Sequence, residues 1–254
     1  MIRSFDHYDY DAAALVERKD GQRISVCLPA RDEEATVADI VTLVREHLIE
    51  RVPLVDELIV IDDHSNDSTA ERARAAGACV VDAAEVLPEI TSGAGKGRAL
   101  WRSLHVATGD IVVWCDTDVT NFSAQFVVGL LGPLLCEPDL VYVKGFYRRP
   151  LGTSGDGGGR VTELVARPLL ALLHPTLTSI VQPLAGEYAG RRHALEQVPF
   201  VAGYGVEMGL LIDLAARFGT GAMAQVDLGT RRHRNRPLVE LGPQAMTIMQ
   251  VALR

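Results

Sequence analysis

The run Ile111-Val112-Val113-Trp114-Cys115, followed at once by Asp116-Thr117-Asp118, constrains this chain more than any other segment. An apolar run without polar alternation reads as a strand buried on both faces. Two carboxylates then stand two residues apart at its carboxyl end, where an open α/β sheet binds ligands and where acids do little for a core. Hard oxygen donors at that spacing suit Mg2+ or Mn2+, and such a metal commonly bridges a protein carboxylate to a substrate diphosphate. The plain alternative is a polar transition from strand to loop.

The rest of the chain supplies the sheet this strand needs. Ile24 to Leu28 reads as a first strand stopped by Pro29, Glu57 to Ile61 as a second and Ala78 to Val81 as a third, with helices over 36–50 and 67–76 between them. Strand–helix alternation of this kind predicts one compact α/β domain, a mostly parallel sheet flanked by helices. Further helices are expected over 98–107, near 123–135, from Arg160 onward, over 204–217 and in the last ~15 residues. Leu140 to Phe146 and Ala222 to Leu228 read as further strands.

Composition narrows the class of partner. The 254 residues are 48% hydrophobic and 23% charged, as in ordinary soluble domains, and the net charge of −8 argues against nucleic acid. The basic run Arg231-Arg232-His233-Arg234-Asn235-Arg236 breaks that trend. No stretch reaches the roughly 18 apolar residues of a membrane span, so no membrane partner is expected. The N-terminus has no signal-peptide pattern, and Cys27, Cys79, Cys115 and Cys136 look like buried thiols without metal-ligand spacing. A cytoplasmic location is the expectation.

Several constellations carry possible chemistry. Pro29-Ala30-Arg31-Asp32-Glu33-Glu34 follows the first strand; its acids either bond a ribose or base, or favour the next helix through its dipole. Asp62-Asp63-His64 crowds polar groups at the end of the second strand. Gly95-Lys96-Gly97 lets backbone amides approach an anion while the lysine reaches a diphosphate or base, or else is a solvated loop. Gly157-Gly158-Gly159-Arg160-Val161-Thr162 feeds a helix start with a guanidinium and a hydroxyl on its first turn, an arrangement suited to a phosphate monoester or carboxylate. Glu207 shares a helix face with Leu210, Leu211 and Leu214, a costly place for a carboxylate without a partner. His233 could complete the coordination of a metal held by Asp118, with Arg231, Asn235 and Arg236 on phosphates; the bland reading is a solvated basic loop.

Taken together these residues resemble a known family. Asp-x-Asp after a strand, with Pro-Ala-x-x-Glu-Glu after the first strand, is similar to the GT-A nucleotide-sugar glycosyltransferases. Longer strings resemble the glucosyl-3-phosphoglycerate synthases: Gly95 to Leu104, Lys144 to Leu151, Gly157 to Leu170, Gly186-Glu187-Tyr188-Ala189, Gly203 to Glu207 and His233 to Leu238. The resemblance implies a retaining enzyme that moves glucose from UDP-glucose to the 2-hydroxyl of 3-phosphoglycerate with a divalent metal, and a homodimer. It implies that Pro29, Ala30, Glu33 and Lys96 contact the uridine, with Asp63 near the nucleotide. Asp116, Thr117 and Asp118 would hold ribose, diphosphate and metal. Gly159, Arg160 and Thr162 would take the acceptor, with Asn235. Leu184, Tyr204 and Glu207 would line the sugar site, and Asp118 and His233 would hold Mg2+ or Mn2+, with Arg231 and Arg236 on phosphates. The implied organisation is an N-terminal arm over 1–23, a nucleotide-sugar half over 24–120 and an acceptor half over 121–254 that ends in a helix.

The chain departs from the family pattern in places. Members usually carry Leu-Asn where Arg31-Asp32 stands and Ser-Gly where Asp63-His64 stands, and the loop between Leu151 and Gly157 is shorter. Two other classes compete. A nucleotidyltransferase needs a glycine-rich loop after the first strand, which 29–34 lacks. A non-catalytic nucleotide-sugar binder needs a decayed site, yet Asp116, Asp118, Glu207 and His233 are all present.

Overall fold

A computed structural model describes residues 1–90, 95–149, 159–232 and 238–254. The strands in chain order are β1 (Arg3–Asp6), β2 (Ile24–Ala30), β3 (Glu57–Asp62), β4 (Cys79–Asp82), β5 (Ile111–Trp114), β6 (Tyr142–Arg148), β7 (Tyr188–Arg191) and β8 (Met223–Thr230). They form one sheet in the order β1-β8-β6-β7-β5-β2-β3-β4. Only β7 runs antiparallel to its neighbours β5 and β6. The mostly parallel α/β architecture expected from the strand–helix alternation is what folds.

Two apolar layers cover the sheet, as its pleat requires. Val26 and Leu28 of β2 and Val113 of β5 face one side, with α1 (Ala12–Arg18), α2 (Val37–Arg45), α3 (Thr69–Ala75) and α5 (Ala124–Cys136), α4 being Lys96–Val106 on the other face. Cys27, Val112 and Trp114 face that other side, with α4, α6 (Arg167–Leu173), α8 (Val206–Phe218) and α9 (Leu238–Ala252), α7 being the short turn Arg192–Leu195. Burial on both faces explains why β5 carries no polar residue.

Several expectations need correcting. Pro29 does not stop β2, which continues to Ala30. The Pro29 carbonyl accepts from Thr117 Oγ1, so its ring nitrogen faces the same side, past the last β5 pairing at Cys27–Trp114. A missing N–H costs nothing there. The arm over 1–23 is built into the sheet: β1 is an edge strand parallel to β8, and Gln125 Nε2 donates to the His7 and Tyr10 carbonyls. β7 was not anticipated, because Tyr-Ala-Gly-Arg is too short and mixed to show a period. Cys79 is exposed and Cys136 half-buried; only Cys27 and Cys115 are buried thiols.

Candidate active site

The carboxyl ends of β2, β3 and β5 open onto one side, and Thr117 sets their spacing. Its hydroxyl donates to the Pro29 carbonyl at 2.8 Å, while its own carbonyl accepts from Thr36 Oγ1 at 2.5 Å. Thr117 is thereby tied to the ends of β2 and α2, and the two flanking acids are left for other partners. Gly186 lies so close to Asp116 that a Cβ there would sit 2.0 Å from Oδ2.

Two cations bind these acids. Lys96 Nζ, at the start of α4, lies 2.6 Å from Asp116 Oδ1 and 2.7 Å from Glu207 Oε1. Arg231 Nη2 donates to Asp116 Oδ2 at 2.9 Å and to Asp118 Oδ1 at 2.6 Å. Burial alone would push the Asp116 carboxyl up, but the nearby Lys96 and Arg231 charges outweigh it and hold Asp116 well below the usual carboxylate range. Burial likewise opposes the charge on Lys96, and Asp116 and Glu207 reverse it, raising Lys96 above an ordinary lysine. Asp116, Lys96 and Arg231 therefore favour their charged forms together.

A deeper layer escaped sequence reasoning. Glu187, just before β7, is fully buried and sits 3.0 Å from Arg231 Nε, backing the guanidinium from below. Burial raises its carboxyl above the ordinary value in spite of Arg231. Lys144 of β6 is equally buried; its Nζ lies 4.3 Å from the centroid of the Tyr188 ring and has no hydrogen-bond partner among the described residues. Desolvation pushes this lysine down to about 7, against the opposing pull of Glu207. Both residues sit inside the strings quoted above, but only the antiparallel insertion of β7 brings them beneath the acids.

The turns after β2 and β3 hold the start of α4. Asp63 is buried, and its Oδ2 accepts from the Gly95 amide at 2.9 Å, where Gly95 has a φ of +119° that glycine tolerates. Asp32, at a φ of +54°, accepts from the Asn66 amide at 2.7 Å, and the Glu33 amide donates to Thr69 Oγ1 at 2.8 Å. Asp32 thereby locks one turn against the other, a role outside the two readings open for these acids. On the opposite side Gly159, with a φ of +80°, leads into the helical turn that begins at Arg160, and Thr162 is buried in it.

The site holds a cavity of about 780 Å3. Pro29, Ala30, Glu33, Asp63, Lys96, Asp116, Thr117, Asp118, Gly159, Arg160, Thr162, Leu184, Tyr204, Glu207 and Arg231 all line it. His233, Asn235 and Arg236 lie outside the described residues. The cavity also takes in Arg31, Arg149 and, from α9, Leu241, Gln244 and Ile248, none of which had a sequence-based assignment. Among the described residues no three His, Cys, Asp or Glu side chains gather as a metal cluster. Asp116 and Asp118 nevertheless offer hard oxygens, and the acids touching Lys96 and Arg231 outnumber those two cations. That excess of negative charge fits a divalent cation.

An open sheet with acidic strand ends over a cavity of nucleotide-sugar size is the GT-A arrangement of glycosyltransferases, and residues 25–195 match the family model described as glycosyl transferase family 2. A glucosyl-3-phosphoglycerate synthase of Petrotoga mobilis is 47% identical over 261 residues, covering 100% of this chain and 80% of that protein. One from Mycobacterium tuberculosis is 52% identical over 246 residues, covering 94% and 75%. The crystal structure of the Mycobacterium tuberculosis enzyme with Mn2+, uridine-diphosphate-glucose and phosphoglyceric acid superposes with a TM-score of 0.92 at 48% identity, over 99% of this chain and 86% of that one. The chain belongs to the glucosyl-3-phosphoglycerate synthase family of glycosyltransferases.

Proposed function

We propose that this protein transfers glucose from UDP-glucose to the 2-hydroxyl of 3-phosphoglycerate, with retention at the anomeric carbon. The observation that carries this reading is the cavity itself. It joins an acidic pair held by Lys96 and Arg231 to a helix-start anion site at Gly159, Arg160 and Thr162. Solved relatives hold Mn2+ with UDP-glucose and phosphoglyceric acid, or Mg2+ with UDP.

Pro29, Ala30, Glu33 and Asp63 border the nucleotide, and Asp116 with Thr117 faces ribose and diphosphate. Asp118 and His233 would hold Mg2+ or Mn2+, which when bound offsets diphosphate charge as a Lewis acid. Lys96 and Arg231 are placed to turn from the carboxylates toward the departing diphosphate, where stabilisation of developing charge is worth most, and Arg236 would join them on the phosphates. Glu207 has one oxygen tied to Lys96 and orients the sugar, next to Leu184 and Tyr204, while Arg160, Thr162 and Asn235 fix the acceptor. The acceptor hydroxyl attacks from the face the diphosphate leaves, and a diphosphate oxygen takes its proton.

On this reading 24–120 forms the donor half and 121–254 the acceptor half, with Tyr204 and Arg231 crossing from the second to the first. Exposed Leu164, Leu172, Met246 and Leu253 on neighbouring helical segments support a homodimer. Four free thiols support a cytoplasmic location.

The test is a matrix of UDP-glucose, GDP-glucose and GDP-mannose against 3-phosphoglycerate and related small acids, with Mg2+ or Mn2+, scored by nucleotide release. Release from UDP-glucose that depends on 3-phosphoglycerate is the expected result. Release with a different donor, or only without that acid, rejects the assignment.

A further inference from the structure

Arg149 follows the end of β6 and lines the cavity between the Asp116 cluster and Gly159. Its Nη1 lies 3.7 Å from the position a Cβ on Gly159 would take. Its Nη2 donates to the Tyr147 hydroxyl at 2.8 Å, and the guanidinium packs 4.9 Å from the centre of that ring. The Arg231 guanidinium packs on the same ring at 5.4 Å. The two arginines differ in what neutralises them. Arg231 touches three carboxylates, whereas no described carboxylate pairs with Arg149; the Nε of each is buried without a hydrogen-bond partner among the described residues.

A half-buried guanidinium in a cavity, packed on a phenol and with no described acid beside it, offers a planar donor fork. Such a group is completed by an anion that arrives with a ligand. We propose that Arg149 binds the carboxylate of the acceptor whose phosphate sits on Arg160 and Thr162. This rests on the acceptor reading above and extends it, because the site then selects for a small molecule with two separate anionic groups. Holding both ends fixes the molecule's rotation and so presents its hydroxyl toward the Asp116 cluster, an orientation that a single phosphate anchor leaves free. Arg149 is the candidate for the carboxylate because its fork borders Gly159 and no described carboxylate pairs with it, while Lys96 and Arg231 are placed for the diphosphate. Its positive field also reaches Asp116 and helps hold that carboxyl ionised.

The experiment compares wild type, Arg149→Gln and Arg149→Lys, with Mn2+ and UDP present. Calorimetry measures binding of 3-phosphoglycerate and of glycerol 3-phosphate, which keeps the phosphate and lacks the carboxylate. Arg149→Gln is expected to weaken 3-phosphoglycerate by about 30-fold, the loss of one charge-assisted pair, and to leave glycerol 3-phosphate and the donor KM unchanged. Arg149→Lys recovers part of the loss, and keeps the test available should the glutamine variant fold poorly. Equal weakening of both ligands, a matching rise in donor KM, or no change for 3-phosphoglycerate overturns the role of Arg149. Wild-type protein that binds neither ligand overturns the acceptor assignment itself.

Discussion

Gly186 lies flat against the carboxylate of Asp116, with room for a hydrogen and for nothing larger: a Cβ at Gly186 would stand 2.0 Å from Asp116 Oδ2 and 2.2 Å from its Cγ. The acid that meets both Lys96 and Arg231 is therefore held in place by a missing side chain. Gly186→Ala forces Asp116 off both cations, so kcat/KM should fall by at least about 100-fold, the cost of a misplacement near 1 Å. Circular dichroism and melting temperature report whether the fold survives. A folded variant with near-normal kcat/KM removes Asp116 from the reaction.

Asp118 is bonded to Arg231 and is the acid assigned to the metal. Asp118→Ala should abolish metal-dependent turnover and weaken Mn2+ binding, read independently from the paramagnetic signal of free Mn2+. Chelation of wild-type protein should stop turnover, and added Mg2+ or Mn2+ should restore it. Near-normal rates or unchanged Mn2+ affinity in the variant would sink the assignment.

Arg160 opens the helical turn that follows Gly159. Arg160→Ala should raise the acceptor KM about 30-fold through loss of a charge-assisted bond and leave the donor KM within about twofold. Steady-state kinetics with each substrate varied in turn measures both constants. Equal rises in the two would move Arg160 to the donor side.

Lys144 gives a pH-dependent prediction whose sign follows from linkage. Its folded value of about 7 is below the unfolded value near 10.5, so below pH 7 the fold carries the full cost of a buried ammonium. Between about pH 7 and 10.5 the unfolded chain binds more protons, and this group's contribution to stability improves as pH rises. Lys144→Met removes the charge at similar volume, so its advantage over wild type should be larger at pH 6 than at pH 9, by about 2 kcal/mol. Urea denaturation at the two pH values measures this. An advantage independent of pH would mean that Lys144 stays charged in the folded protein up to pH 9, so that burial does not depress it.

The acidic strand ends could be read in advance because their signals are local. A short apolar run that ends in acids shows a buried strand and its ligand-facing end within eight residues, and glycines before Lys96 and Arg160 mark helix starts in the same way. Strand β7 and the edge strand β1 left no such trace. Each is four residues of mixed polarity, made a strand by neighbours far away in the chain. Pro29 misled because a proline ends a central strand only where its N–H is needed, and here the adjacent strand β5 has already stopped.

The sequence by itself determined the α/β class, the acidic ends of β2, β3 and β5, and the residue types that suit a metal, a diphosphate and a second anion, since these depend on polarity and spacing within short segments. Only the tertiary structure decided which charges meet. Arg231 reaches Asp116 across 115 positions of chain, Glu187 backs it from just before an inserted antiparallel strand, and Arg149 stands at the cavity without an acid from the described residues. Ion pairs of this kind are set by the distance between side chains in space and by burial that strengthens their fields. Neither quantity is written in local sequence.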